Sequence, residues 1–89
     1  MQIGKVTGSL WATRKDEKLN GLKLLLVEIC TDETEDVRHS IVAADNAGAG
    51  NGDLVLVTTG SAARASTGDN RIPVDACIVG IIDSVERYG

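Results

Sequence analysis

The sequence of 89 residues contains no phenylalanine, and Trp11 and Tyr88 are its only aromatic residues. Proteins that bind single-stranded nucleic acid stack the bases on aromatic side chains and hold the phosphates in basic grooves. The chain has 13 acidic residues against nine basic ones, so that its formal net charge of -4 repels a polynucleotide on average. Few aromatics and excess negative charge together argue against a nucleic-acid-binding protein.

Long hydrophobic runs are also missing. No apolar run approaches the roughly 18 residues that a membrane span needs, and the first residues lack the hydrophobic region of a secretory signal peptide. We therefore expect no membrane segment and a cytoplasmic protein.

Cysteine and histidine are scarce as well, with two cysteines and the single His39. A structural zinc site takes four clustered ligands, which these residues cannot supply, so we expect no metal or cofactor. Cys30 and Cys77 each lie in an apolar segment, where a thiol usually serves as a small hydrophobic side chain. Both are expected to be buried and reduced.

The chain has the length of one small domain, so we expect residues 1–89 to form a single domain. Valine, leucine and isoleucine must fill its core, because large aromatic side chains are absent. A domain of this size buries a smaller share of its surface than a large one and is only marginally stable alone. Burial against further copies of itself would add stability.

Apolar and β-branched runs separated by turn residues predict strands. The expected strands are residues 3–13, 22–31, 40–45, 54–59 and 76–85. The second is nearly continuously apolar, which favours burial on both faces, and Gly80 in the last indicates a close backbone approach or a bulge. Pro73 favours extended backbone over residues 70–73. The sequence predicts an all-β protein, a small five-stranded OB-like β-barrel with one short helix.

The one expected helix covers residues 60–65, with Ser61 as its N-cap and an alanine-rich interior. Arg64 is the only charge in this helix and is either a surface arginine or an anchor in an interface, a role that arginine favours.

Before the fourth strand lies a glycine loop (residues 45–53). It does not fit a dinucleotide-binding motif, because a strand follows it. Asp45 cannot begin an EF-hand, because Ala47 offers no side-chain oxygen. The loop is either an ordinary tight turn or a functional loop.

Candidates for catalysis are weak. His39 lies between Arg38 and Ser40 without a recognisable nucleophile and acid, and is most simply an exposed residue. The acidic run at residues 32–36 lacks a glycine-shaped loop that would hold a cation, and is most simply a solvated connection. No catalytic residue is expected, and the chain is not expected to be an enzyme.

Four segments together resemble the vertex proteins of bacterial microcompartments, the EutN/CcmL family. They are residues 4–8 (GKVTG) with Ala12 and Thr13, residues 19–28 (LNGLKLLLVE), residues 42–57 (VAADNAGAGNGDLVLV), and residues 60–64 (GSAAR) with residues 73–83 (PVDACIVGIID). The family often has Gly-Ser-Ser-Ala-Arg where this chain has Ala62, and a small residue where it has Cys77. The resemblance extends over nearly the whole chain.

The resemblance implies a non-catalytic shell protein with an OB-like barrel, which forms a homopentamer and closes the five-fold vertices of a polyhedral shell. Its partners would be copies of itself and the hexameric and pseudohexameric shell proteins, with neither nucleic acid nor membrane. Its location would be the microcompartment shell in the cytoplasm. The alternative function is an OB-like module that binds a small ligand or an oligonucleotide. Residues expected at the pentamer interface or pore are Asp45, Asn46, Gly48, Ala49, Gly50, Asn51, Gly52, Asp53, Ser61 and Arg64.

Overall fold

The computed structural model describes residues 1–11, 17–19, 21–30, 39–68, 74–86 and 88. Five strands form a closed barrel in the order β1-β2-β3-β5-β4. The elements are β1 (Gln2–Ser9), a 3-10 turn (Glu17–Leu19), β2 (Leu24–Ile29), β3 (His39–Asp45), β4 (Leu54–Thr59), helix α1 (Gly60–Ser66) and β5 (Ala76–Ile81). The expected all-β barrel with one short α-helix is confirmed.

Strand pairing is antiparallel except between β3 and β5, which are parallel and pair only through Ala44–Cys77 and Asp45–Ile78. The barrel has two distinct ends. At the loop end, β3 ends and β4 begins, and the glycine loop joins them. At the groove end, β4 ends, β5 begins and β1 starts.

Along β1 and β2, the buried side chains that face the interior of the barrel alternate with more exposed ones, as the period of two requires. Val6, Val27, Val55, Val57 and Ile78 are almost completely buried there. Gly4 must be glycine, because a Cβ atom at this position would lie 2.5 Å from Cγ1 of Val27. Small aliphatic side chains thus fill a narrow barrel that has no room for aromatic rings.

A second, smaller core lies outside the barrel wall, under helix α1. Ala44, Ala63, Val74 and Cys77 are buried in it, and partly buried leucines pack around them. The position of Cys77 confirms its expected burial. The helix is therefore held by its small buried face and not by its length, since a seven-residue helix is not stable by itself.

Strand β2 corrects two expectations. Its residues alternate between buried and half-buried, so it is not buried on both faces. Leu24 is apolar because it packs against the outer core, while Leu26 lies on the partly exposed outer wall. Cys30 follows the last buried residue of this strand and is exposed, so its expected burial is wrong.

Several strand boundaries also differ. Strand β1 ends at Ser9 and β5 at Ile81, both earlier than expected, while β4 matches. The bulge expected at Gly80 is confirmed, because Leu56 pairs with Gly80 and the next residue, Val57, pairs with Ile78. The expected end of the first strand, the acidic run and the extended segment before Val74 lie outside the described residues.

Candidate functional site

The glycine loop is organised around the side chain of Asp45, the last residue of β3. This side chain is only 2% exposed. One carboxylate oxygen accepts the backbone N–H of Ala47 at 3.0 Å, and the other accepts that of Ala49 at 2.9 Å. The first half of the loop is thereby wound around a single buried carboxylate, which satisfies two backbone donors that the turn takes out of the sheet.

Lys23 neutralises this carboxylate from the neighbouring chain segment. Its Nζ atom lies 3.6 Å from Oδ2 of Asp45 and donates a hydrogen bond of 2.6 Å to the carbonyl of Ala49. The lysine side chain remains 54% exposed. Its charge is thus engaged within the protein, which leaves it poorly placed to hold the phosphate of a ligand. The role of Lys23 could not be predicted from the sequence, where it is a single basic residue directly before an apolar strand.

The second half of the loop is tied to itself and to β1. The N–H of Gly50 donates to Oδ2 of Asp53 at 2.8 Å, and the N–H of Asp53 donates back to the carbonyl of Gly50 at 3.0 Å. Two backbone hydrogen bonds then join Gly52 and Asp53 to Val6. The contact lies at the bulge of β1, where the β1–β2 register shifts. The loop end of the barrel is closed by the chain's own hydrogen bonds.

Two glycines of this loop meet a backbone requirement. Gly48 and Gly52 have φ angles of +79° and +88°, in the left-handed region that other residues avoid. Gly50 has no positive φ, and a Cβ atom there would have only Oδ2 of Asp53 within 4 Å, at 3.8 Å. The loop could therefore accept a small side chain at Gly50 without strain, so the fold by itself does not require glycine there.

The loop and the helix form one continuous surface. The side-chain amide of Asn46 donates a 2.7 Å hydrogen bond to the carbonyl of Ser66, the last residue of α1. Asn46, Asn51 and Gly52 are exposed. Arg64 lies in the last turn of α1 and is half-buried. The end of α1 is thus tied to the start of the loop, while Arg64 lines a surface cavity together with Ser61.

Ser61 lies one turn before Arg64, beside the same surface cavity, and does not cap the helix. Helix α1 begins at Gly60, directly after β4, with Thr59 as the N-cap and no side-chain capping bond. The expected cap at Ser61 is wrong, because the φ of +67° at Gly60 turns the chain from strand into helix without a linker. Ser61 is exposed in the first turn, near the groove end.

Among the described residues, His39 does not meet Asp45 or Asp53 in a common site, and the acidic run at residues 32–36 lies outside the described part of the chain. His39 is exposed at the start of β3, at the groove end, whereas Asp45 and Asp53 lie at the loop end. Among the described residues, no group of three or more histidine, cysteine or acidic side chains could hold a metal ion. Within that same part of the chain, no helix is both long enough and apolar enough to cross a membrane.

The profile of a known family matches residues 1–83, and its description is ethanolamine utilisation protein EutN/carboxysome. The chain belongs to the EutN/CcmL family. Among its relatives, the microcompartment shell vertex protein GrpN of Rhodospirillum rubrum is 45% identical over 86 residues, which are 97% of each chain. The carboxysome shell vertex protein CcmL of a Nostoc species is 46% identical over 96% of this chain and 85% of its own.

Solved structures of relatives share the fold. The structure of GrpN from Rhodospirillum rubrum, described as a pentameric microcompartment shell protein, has a TM-score of 0.82 at 41% identity and covers 99% of this chain and 100% of its own. The structure of CcmL from Gloeobacter violaceus has a TM-score of 0.88 at 40% identity over 98% and 90% of the two chains. The resemblance found in the four sequence segments is confirmed over the length of the molecule.

Proposed function

We propose that this chain forms a homopentamer that caps the five-fold vertices of a polyhedral bacterial microcompartment. The observation that carries the proposal is the match to GrpN, a pentameric shell protein that covers this chain almost end to end at 41% identity. At this identity the barrel and the surface that the relatives use for assembly are expected to be retained.

Exposed hydrophobic side chains support assembly independently. Met1, Trp11 and Val85 remain 83%, 94% and 47% exposed. Contact with another copy of the chain would remove such apolar surface from water.

We assign the glycine loop with Ser61 and Arg64 to the surfaces around the five-fold axis or the subunit contact. The loop is rigid through its own hydrogen bonds, so little conformational entropy is lost when it meets another copy. Exposed Gly52 and its neighbour Asn51 present backbone with little side-chain bulk, which lets several copies approach closely. A head-to-tail contact of this kind closes into a ring when its rotation divides the circle.

The role in the shell follows from geometry. A flat layer of hexagonal tiles closes into a polyhedron only if five-fold units occupy its corners, so the pentamer would meet hexameric and pseudohexameric shell proteins along its outer edge.

The chain's charge is uneven, with a net +2 over residues 1–31 and a net -6 over residues 32–89. Surface ion pairs contribute only about 0 to 1 kcal/mol each, so shape dominates this contact. The function is structural, and no catalytic step is assigned to it.

The oligomer is tested by native mass spectrometry at micromolar concentration. We expect a dominant species with five times the mass of the chain. A dominant monomer or dimer would contradict the proposal.

The vertex role is tested by assembling shells from hexagonal tiles with and without the chain and measuring the escape of a small tracer. Shells that are equally tight without it would contradict vertex capping even if the pentamer forms.

A further inference from the structure

The glycine loop contains Asn51 followed by Gly52, one of two Asn–Gly pairs in the sequence, the other being Asn20 with Gly21. An asparagine before glycine loses its side-chain amide more easily than other asparagines, because glycine has no side chain to hinder the ring that this reaction forms. Asn51 and Gly52 are both exposed, so water and base reach them. Sequence and exposure together favour deamidation at this pair.

Deamidation of such a pair begins at the backbone nitrogen of the glycine. This nitrogen gives up its proton to a base and attacks Cγ of the asparagine, and the bond from Cγ to Nδ2 breaks as ammonia leaves. Water then opens the resulting five-membered succinimide at one of its two carbonyl carbons, which gives aspartate or isoaspartate. The net reaction consumes one water and releases one ammonia. The state of the Gly52 N–H group therefore decides how fast Asn51 reacts.

The N–H group of Gly52 is engaged in a hydrogen bond with β1. Gly52 donates it to the carbonyl of Val6 at 2.8 Å, and Val6 donates its own N–H to the carbonyl of Asp53 at 3.0 Å. These two hydrogen bonds close the loop on β1 at the strand's bulge. A proton held in a hydrogen bond of this length is harder to remove. Attack on the side chain of Asn51 must first break this bond.

The turn also holds the reacting atoms in the wrong orientation. Residues 50–53 form a β-turn, in which the N–H of Asp53 donates to the carbonyl of Gly50 at 3.0 Å. Gly52 has a φ of +88° and Asn51 has no positive φ, which is the pattern of a type II turn. The first central residue of such a turn has a ψ of about +120°. The succinimide ring needs this torsion rotated until the glycine nitrogen eclipses Cβ, so the turn must open.

We propose that Asn51 is a deamidation site and that the hydrogen bonds between the loop and β1 gate it. While the loop is closed, Val6 holds the N–H of Gly52 and the reaction is slow, and when the loop leaves β1 the pair reacts as in an unfolded chain. Isoaspartate adds one carbon to the main chain, so that Gly52 and Asp53 no longer both reach Val6. The modification thus makes loop opening permanent. This inference goes beyond the vertex role and concerns the single subunit.

The test follows each asparagine by mass spectrometry of peptides from protein kept in mildly alkaline buffer. We expect Asn51 to react at least about tenfold more slowly in the folded protein than in the same chain unfolded in guanidinium chloride. Asn20 is the reference in the unfolded chain, where the two Asn–Gly pairs should react at similar rates. Equal rates at Asn51 in the two states would overturn the gate, and no reaction at Asn51 in the unfolded chain would overturn the site.

Asp53→Ala loosens the loop, and Asp53→Asn is its matched control. Alanine removes the carboxylate oxygen that accepts the N–H of Gly50 at 2.8 Å, whereas asparagine keeps an acceptor there. We expect Asp53→Ala to raise the folded rate at Asn51 about fivefold, as the loss of one loop hydrogen bond predicts, and Asp53→Asn to react like the parent. Each folded rate is divided by the rate of the same variant unfolded, which removes direct effects of residue 53 on the chemistry.

If Asp53→Ala does not fold, hydrogen–deuterium exchange of the Gly52 N–H in the parent decides. We expect this amide to exchange at least about tenfold more slowly than in the unfolded chain, because the same opening that permits deamidation permits exchange. Free exchange of the Gly52 amide in the folded parent would overturn the gate.

The oligomer is controlled separately, because contact with another copy would also shield the loop. If native mass spectrometry shows that Asp53→Ala changes the oligomeric mass, the parent diluted to that same mass is the reference. A folded Asp53→Ala variant whose Asn51 reacts no faster than this reference overturns the gate and leaves the proposed function standing. A monomeric parent contradicts the pentamer, and the same rate ratios then decide the gate in the monomer. Slow reaction in the parent with faster reaction in Asp53→Ala supports the gated site.

Discussion

The two ends of the barrel are finished in different ways. At the loop end, residues 45–53 fold back on the barrel, and the carboxylates of Asp45 and Asp53 accept the backbone hydrogens of the turn. At the groove end, β3 leaves one edge unpaired in the described residues, and Val42 remains 41% exposed beside an open apolar groove. At the loop end the backbone donors of the turn are satisfied within the chain, whereas at the groove end apolar surface stays exposed.

Because of this difference, we expect substitutions at the two ends of the barrel to have different effects. Substitutions at the loop end remove contacts inside one chain, so they should lower the free energy of unfolding of the subunit. Substitutions at Val42, beside the groove, should affect the fold less, because this side chain is 41% exposed. Measuring unfolding and oligomeric mass on the same variants shows whether the two ends differ in this way.

The largest effect on the fold is expected from Asp45→Ala. It leaves the backbone donors of Ala47 and Ala49 without their acceptor and removes the partner of Lys23. Unsatisfied buried donors cost about 1 to 3 kcal/mol each, and water can reach part of this loop, so we expect a loss of about 3 kcal/mol. Urea unfolding measures it. A loss below about 1 kcal/mol would show that the carboxylate does not organise the loop.

The next effect comes from Gly52→Ala, compared with Gly50→Ala as a matched control. Gly52 has a φ of +88°, where a Cβ atom is strained, while Gly50 has an ordinary backbone conformation. We expect Gly52→Ala to destabilise the fold by about 1.5 kcal/mol and Gly50→Ala by less than about 0.5 kcal/mol. Equal losses in thermal unfolding would contradict the loop conformation.

Gly50 also tests the assigned role of the loop in assembly. Gly50 is partly buried and has no positive φ, and a Cβ atom there would have only Oδ2 of Asp53 within 4 Å, so we expect Gly50→Val to change unfolding little. If the loop lies at the subunit contact, the pentameric fraction falls. Pentamers as stable as those of the parent would mark the loop as an ordinary turn and remove it from the interface.

A smaller effect is expected from Lys23→Met. The substitution keeps the aliphatic stem but removes the ion pair with Asp45 and the hydrogen bond to Ala49. Because the lysine side chain is half-exposed, water screens the pair, and we expect a loss of about 1 kcal/mol. The double variant with Asp45→Ala should cost little more than Asp45→Ala alone, since the two residues act on one loop. Additive losses would show that Lys23 acts elsewhere.

The smallest effect should come from Ser61→Ala. Thr59 is the N-cap and Ser61 lies inside the first turn, so the serine contributes no capping bond to lose. Alanine has the higher helix propensity, so stability should rise by up to about 0.5 kcal/mol. Ala62→Ser, one position along, should lower it by a similar amount. A loss of 1 kcal/mol or more from Ser61→Ala would mean that the serine does cap the helix.

A strand can be predicted from its sequence where one face lines the barrel interior and the whole of the other face meets a single environment. Strand β4 shows this, because burial alternates from Leu54 to Val57 and the predicted ends of the strand match. Burial of β2 on both faces was the wrong prediction, because its outer residues meet two different environments. Leu24 packs in the outer core, and Leu26 lies on the open wall. A run of apolar residues in the sequence does not distinguish burial inside the barrel from a place on its partly exposed outer wall.

The candidate site was predictable to the same limited extent. The glycines at positions 48 and 52 indicate a tight loop, and the structure gives them positive φ angles. The tie between Lys23 and Asp45 could not be read from the sequence, because 22 positions separate the two residues and only the β2–β3 pairing brings them together. Ser61 was predicted as the N-cap because serine is common at that position of helices. Here the positive φ of Gly60 turns the chain from β4 into α1 one residue earlier, so that Thr59 is the N-cap.

The sequence by itself determined the family, the number of strands and the small-residue barrel, because these depend on local alternation, on turn glycines and on motifs that can be compared directly. Only the tertiary structure decided which carboxylate holds the loop, that Cys30 is exposed and that β3 pairs with β5 through Ala44 and Asp45. The physical reason is that these features arise from contacts between residues distant in the chain. Closing the barrel sets the register of five strands at once, and no segment carries that information alone.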